Sequence, residues 1–196
     1  MNKGEATRQT ILERATALAS QVGLSGLTIG GLADDLGLSK SGLFAHFRSK
    51  DALQVQVLEY AAALFIDEVI KPALRAPRGE PRIRALFARL LIWPEHNDLP
   101  GGCPIMAASV ELDDRPGPAR DALVSQQKDW LDTLATLVRV AIEEGHFHKR
   151  VEPAQFAFEL YAIDFAYHHS LRLLRDPNAV RRAQAAFEAL LARAKV

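Results

Sequence analysis

The segment TIGGLADDLGLSKSGLFAHFRSK, residues 28–50, decides how the chain is read. Thr28 is placed to cap a helix start, because its hydroxyl can accept a backbone N–H two or three residues on. Ile29, Leu32, Ala33 and Leu36 then give a short helix one apolar face, and Gly37 ends it after two turns. Ser39 is the cap of a second short helix, in which Leu43, Phe44 and Phe47 are spaced to pack back. Two short helices around a tight glycine turn form a helix-turn-helix, whose second helix crosses the first steeply and can project into a major groove. Between its apolar positions that helix offers Lys40, Ser41, Gly42, Ala45 and His46. Small groups let the helix backbone approach DNA, while Lys40 and Ser41 reach phosphates or base edges. Ser49 caps the longer helix that follows, and Lys50 stands in its first turn, where a phosphate is favoured. The same pattern of two amphipathic helices also occurs in helical proteins that bind no nucleic acid.

Outward from this segment the apolar spacing stays helical. Ile11, Leu12, Ala15, Leu18, Ala19 and Val22 form one face upstream, stopped by Gly23. Downstream, a long helix runs from Lys50 to Lys71-Pro72, and Pro77, Gly79 and Pro81 break the chain. Further helices are expected over 83–93, 105–112, from Ala119 to Gly145, from Pro153 past Leu171, and from Asp176-Pro177 onward. Leu99 to Pro104 reads as a loop. No period-two alternation and no hairpin dipeptide between apolar runs argues for strands. The expectation is an all-α fold of about nine helices.

Composition fits a soluble globular protein: 48% hydrophobic residues supply a core and 24% charged residues a surface. Lys plus Arg and Asp plus Glu are both 24, which excludes a histone-like protein and an acidic tail. Residues 1–50 hold six basic and four acidic side chains, a mildly positive +2. One cysteine, Cys103, excludes an internal disulfide and a four-thiolate zinc site. The polar start from Met1 to Arg8 lacks an apolar signal core, and no run reaches the ~18–20 apolar residues of a membrane span. A cytoplasmic protein without membrane contact is expected.

From Thr28 to Leu53, and most closely over LGLSKSGLFAHFRSKDAL (residues 36–53), the sequence resembles the DNA-binding segment of the TetR family of bacterial transcriptional regulators. The preceding helix, Arg8 to Val22, fits as well. The resemblance implies an N-terminal three-helix DNA-binding domain, residues 1–50 extending into the helix that starts there, and a helical effector-binding and dimerisation domain over 51–196. It also implies that Thr28, Ser39, Lys40, Ser41, Gly42, Phe44, His46 and Lys50 lie at the DNA. The family often has Tyr where this chain has Phe44, which cannot offer that hydroxyl to a phosphate and leaves packing or a thymine methyl contact. His46 is either a DNA contact or a structural hydrogen-bonder.

One helix-turn-helix reads few base pairs, so a homodimer on a palindromic operator is expected. Residues 156–174 are apolar almost all round, and Ala183, Ala185, Ala186, Ala189 and Ala192 permit close helix approach. The last two helices are therefore the expected dimer surface, as the resemblance also implies. A small-molecule effector is expected from the resemblance, with Phe65, Trp93, Cys103, Met106, Trp130, Tyr161 and His168 as pocket candidates or plain core. Asp164 and His168, one helical turn apart, can form an ion pair. Rival readings use Cys103 as a redox-sensing thiol or as the nucleophile of a small helical enzyme. Nothing beside it supplies a positioned base and an oxyanion site. His146-Phe-His148 and His168-His169 lack the i, i+4 spacing of zinc sites, so no metal and no cofactor are expected. The expected function is a sequence-specific repressor, not an enzyme.

Overall fold

The structure, a computed structural model, describes residues 3–196, with Lys3, Gly4 and Ala6 described by backbone only. The polar start noted above therefore lies partly outside the described residues. Ten α-segments follow one another: α1 Lys3–Gly26, α2 Ile29–Leu36, α3 Lys40–Phe47, α4 Lys50–Phe65, α5 Lys71–Ala73, α6 Glu80–Ile92, α7 Pro104–Glu111, α8 Pro118–Glu143, α9 Pro153–Arg172 and α10 Ala179–Ala194. A π turn, Ile66–Ile70, joins α4 to α5 without leaving helical backbone, so the ten segments make nine rods among the described residues. Pro72 accounts for the wide turn. It has no N–H for the carbonyl of Glu68, and the ladder shifts to a five-residue bond from Lys71 N–H to the Ile66 carbonyl. The described residues contain no strand, only an isolated bridge between Phe147 and Lys195. Among the described residues no helix is long and apolar enough to cross a membrane.

The chain forms two compact units. The first comprises the described residues through Leu64 together with Glu95–Gln126; the second comprises Phe65–Pro94 and Gln127–Val196. The first unit runs past residue 50 into α4. The reason is that α4 buries Leu53, Val57 and Leu58 in the same core as Ile11, Leu32, Leu43 and Phe47, and α7 adds Ala108 to it. Burial of these apolar side chains, each stabilising by roughly 1.5–3 kcal/mol, fixes the angle between the short helices.

In the second unit α6, α9 and α10 pack around stacked Phe87 and Phe187, 3.9 Å between ring centroids. The Tyr167 hydroxyl donates to the Leu91 carbonyl at 2.6 Å and locks α9 to α6. Arg84 donates to Glu80 at 2.6 Å and forks onto Glu188 at 2.5 and 2.9 Å, tying α6 to α10.

Candidate nucleic-acid interface

The geometry of the reading head begins with its caps. Thr28 has extended backbone, and its Oγ1 accepts the Gly31 N–H at 3.0 Å. α2 then buries Ile29, Leu32 and Ala33. Gly37 adopts φ 64°, a left-handed conformation that costs a β-carbon-bearing residue about 1 kcal/mol or more. The reversal lets the Leu38 N–H reach back to the Ala33 carbonyl at 2.9 Å, closing the helix end. Ser39 caps α3 by accepting the Gly42 N–H at 3.1 Å, and its hydroxyl stands 3.2 Å from that of Ser41. The Arg14 guanidinium grips Asp35 at 2.5 and 2.7 Å, so one of the basic groups near the head is already neutralised.

α3 has one buried stripe. Leu43 and Phe47, four residues apart, are 0% and 1% exposed. Phe44 corrects the expectation that it packs back beside them: it is 49% exposed. One residue on from Leu43 is a rotation of about 100°, which carries Phe44 onto the face of Lys40, Ser41 and Ala45. Lys40, Ser41, Gly42 and Ala45 are all exposed, while His46 is half-buried with its ring 6.3 Å from that of Phe47. The Lys40 stem lies over α2 at Gly30, where a β-carbon would stand 3.3 Å from its Cε. The exposed stripe of α3 is therefore an ammonium, a hydroxyl, an alanine and a phenyl ring.

Two residues turn the chain from α3 into α4. Arg48 has φ 61°, and its N–H closes on the Phe44 carbonyl at 2.8 Å. Ser49 Oγ accepts the Ala52 N–H at 3.1 Å and caps α4. Lys50 is exposed, and its Nζ donates to the Ser25 carbonyl at 2.8 Å. An ammonium carries three donors, so two remain for an anion. Thr28, Ser39, Lys40, Ser41, Gly42, Phe44 and Lys50 all expose surface on this head.

The residues expected to line an effector pocket do not fall in one unit. Cys103 and Met106 are buried in the first, Cys103 at the cap position of α7. Phe65, Trp93, Trp130, Tyr161 and His168 belong to the second. There Phe65 meets Trp93 and Trp130 edge-on, at 5.3 and 5.0 Å between centroids. Tyr161 lies against Phe165 at 6.1 Å. No group of three or more His, Cys, Asp or Glu among the described residues is placed to hold a metal ion.

The expected ion pair between Asp164 and His168 does not form. Asp164 is 5% exposed, on the face of α9 that carries Leu160 and Tyr167, and burial pushes its carboxyl up to about 7. Burial, then the charges of Arg172 and His169, hold the His168 imidazole down at about 4. Both groups favour their neutral forms because the apolar interior disfavours charge. Between about 4 and 6.5 the folded chain keeps its proton on Asp164, whereas the unfolded chain keeps it on His168. Folding then moves no net proton through this pair, and the two pH slopes cancel. Asp164→Asn should expose the His168 slope, with stability rising from pH 4 to 6.5. His168→Asn should expose the opposite slope, with stability falling as pH rises toward 7. Urea unfolding across that range measures both; two unchanged profiles would refute the assignment.

Comparison with known proteins places these observations. The family described as "Bacterial regulatory proteins, tetR family" matches residues 11–57, and "Tetracyclin repressor-like, C-terminal domain" matches residues 79–187. A TetR transcriptional regulator from Chloroflexus aurantiacus superposes with a TM-score of 0.87 and 26% identity, covering 98% of this chain and 96% of that one. AibR in complex with isovaleryl coenzyme A and operator DNA shares the fold at a TM-score of 0.73 and 20% identity, covering 94% and 97%. The nucleoid occlusion factor SlmA of Marinobacter nauticus is 22% identical over 152 residues, 78% of this chain and 74% of SlmA.

Proposed function

This chain belongs to the TetR family of bacterial regulatory proteins and is a DNA-binding transcriptional regulator; on that premise we propose a homodimeric, cytoplasmic repressor that inserts α3 into the major groove of a palindromic operator and releases it when a small molecule binds. The observation that carries the reading is the exposed stripe of α3. An 8-residue helix has buried its large side chains Leu43 and Phe47 and turned Lys40, Ser41 and Ala45 outward with a bare phenyl ring at Phe44. Ser41 is the base-edge reader in this reading, and Phe44 takes a thymine methyl. Lys40 and Lys50 neutralise phosphates, and the capped N-termini at Thr28 and Ser39 bring backbone N–H groups to the same strand. Gly42 lets the helix come close, and His46 supports the rim.

Two copies are needed, with reading helices about one DNA turn apart, roughly 34–36 Å. The outward faces of α9 and α10 support self-association. Phe158 is 63% exposed and Leu173 70%, while Ala185, Ala186, Ala189 and Ala192 leave α10 low enough for close approach. Ala183 is buried and takes no part. A small-molecule effector is supported by the operator and acyl-coenzyme A complex of AibR and by the aromatic cluster of Phe65, Trp93 and Trp130 in the second unit. Cys103, buried at the cap position of α7, is given no catalytic part.

Protection of the DNA upstream of the protein's own gene, with and without small molecules, locates the operator and the effector. On that operator Lys50→Ala should weaken binding to every sequence and lower the salt slope by about 1 per subunit. Substitutions at Ser41 should change the ranking of operator variants, by about 1–3 kcal/mol for a disrupted base contact. Uniform weakening by Ser41 variants would remove it from the base edge.

A further inference from the structure

The turn at Leu24–Ser25, in the last residues of α1 beyond its kink at Gly23, is held by side chains remote in sequence. Gly23 breaks the α1 ladder with φ 74° and ψ 168°, which takes the next two amides out of the helical bonding pattern. Glu111, the last residue of α7, accepts both: Leu24 N–H on Oε2 at 2.8 Å and Ser25 N–H on Oε1 at 2.5 Å. Gly23 also leaves the space, since a β-carbon there would stand 2.8 Å from Glu111 Oε2. Arg115 Nη1 donates to Ser25 Oγ at 2.7 Å. From α4, Gln54 Nε2 donates to the Leu24 carbonyl at 2.7 Å, and Lys50 Nζ to that of Ser25 at 2.8 Å. All of these residues lie in the first unit.

Hydrogen bonds to a carboxylate are the strong ones, and two on one carboxylate fix the orientation of the successive peptides that donate them. The peptide of the Ser25 N–H carries the Leu24 carbonyl that Gln54 meets; the Ser25 carbonyl, one Cα further on, is the acceptor that aims the Lys50 ammonium. A lysine side chain free in solvent loses much rotamer entropy on meeting a phosphate; one already held loses less. We infer that Glu111, assisted by Arg115, is a positioning residue for DNA binding, setting through the Leu24–Ser25 turn where Lys50 presents its charge. This rests on the proposal above that Lys50 meets a phosphate.

The test is a double-mutant cycle on the full-length chain, read as operator affinity by fluorescence anisotropy over a salt series. Glu111→Gln keeps the size of the side chain and removes one of the two acceptors. It should weaken operator binding about tenfold when Lys50 is present, and no more than about twofold in the Lys50→Ala background. Amide hydrogen exchange at Leu24 and Ser25 should accelerate in Glu111→Gln alone and in the double variant. If Glu111→Gln does not fold, Arg115→Ala carries the same cycle, with a coupling of about threefold expected. Equal losses in both backgrounds would overturn the inference and reduce Glu111 to a fold contact while leaving the Lys50 reading intact. A Lys50→Ala variant with an unchanged salt slope would overturn that reading, and the inference with it.

Discussion

A chain carrying Phe158→Asp and Ala189→Asp is expected to be monomeric at micromolar concentration and to lose operator affinity by about a hundredfold or more. Both residues are exposed in the single chain, so neither substitution opens a core. In the proposed dimer each would place a charge in the apolar seam, and an unpaired charge buried at an interface is strongly unfavourable. The DNA effect follows from linkage of two weak readers. One α3 contacts a few base pairs, and a second copy on the same duplex binds at the high effective concentration set by the dimer. Sedimentation equilibrium reads the association and anisotropy the affinity. A variant that stays dimeric would move the interface off α9 and α10. A monomer that binds like the parent would dispense with the dimer altogether.

The second large effect separates two phenylalanines three residues apart. Phe47→Ala removes a ring that is 1% exposed and packs in the core with Leu43 and Leu53. It should cost about 3–5 kcal/mol, by lost transfer energy and the cavity left behind. Against a usual total of about 5–15 kcal/mol, that leaves a marginal protein. Phe44→Ala removes a ring half in solvent and should move stability by no more than about 0.5 kcal/mol. Its effect should appear in operator binding instead. Chemical denaturation and anisotropy on the two variants decide the matter; a Phe44→Ala protein as unstable as Phe47→Ala would mean that the ring is structural and not part of the reading face.

The helix-turn-helix was legible because each of its signals is local. Thr28, Gly37, Ser39 and Ser49 act on backbone groups two to four residues away, and all four do in the structure what their residue types suggest. Phe44 was misplaced because three apolar residues on two turns of helix exceed what one narrow buried stripe can hold. Sequence spacing does not say which of them is left out. Glu111 and Arg115 were invisible for another reason. Their partners lie 86 to 90 residues away, and no periodicity reports a carboxylate that closes on two amides across such a gap. Asp164 and His168 were correctly placed on one face, but burial reversed the expected chemistry by making neutrality cheaper than pairing. The split of the pocket candidates between two units is long-range in the way the Glu111 contacts are, since nothing in the spacing of Cys103 and Met106 shows that α7 packs with α1.

Left-handed residues stand at both ends of α3, Gly37 in the three-residue connection before it and Arg48 in the two-residue one after it. So short a tether leaves no slack for the helix to be ordered by the duplex. The heat-capacity change on association should therefore report water leaving the groove and the stripe it meets, with no added contribution from a segment folding on contact. Adjustment to a neighbouring operator is then not made by reshaping α3 itself.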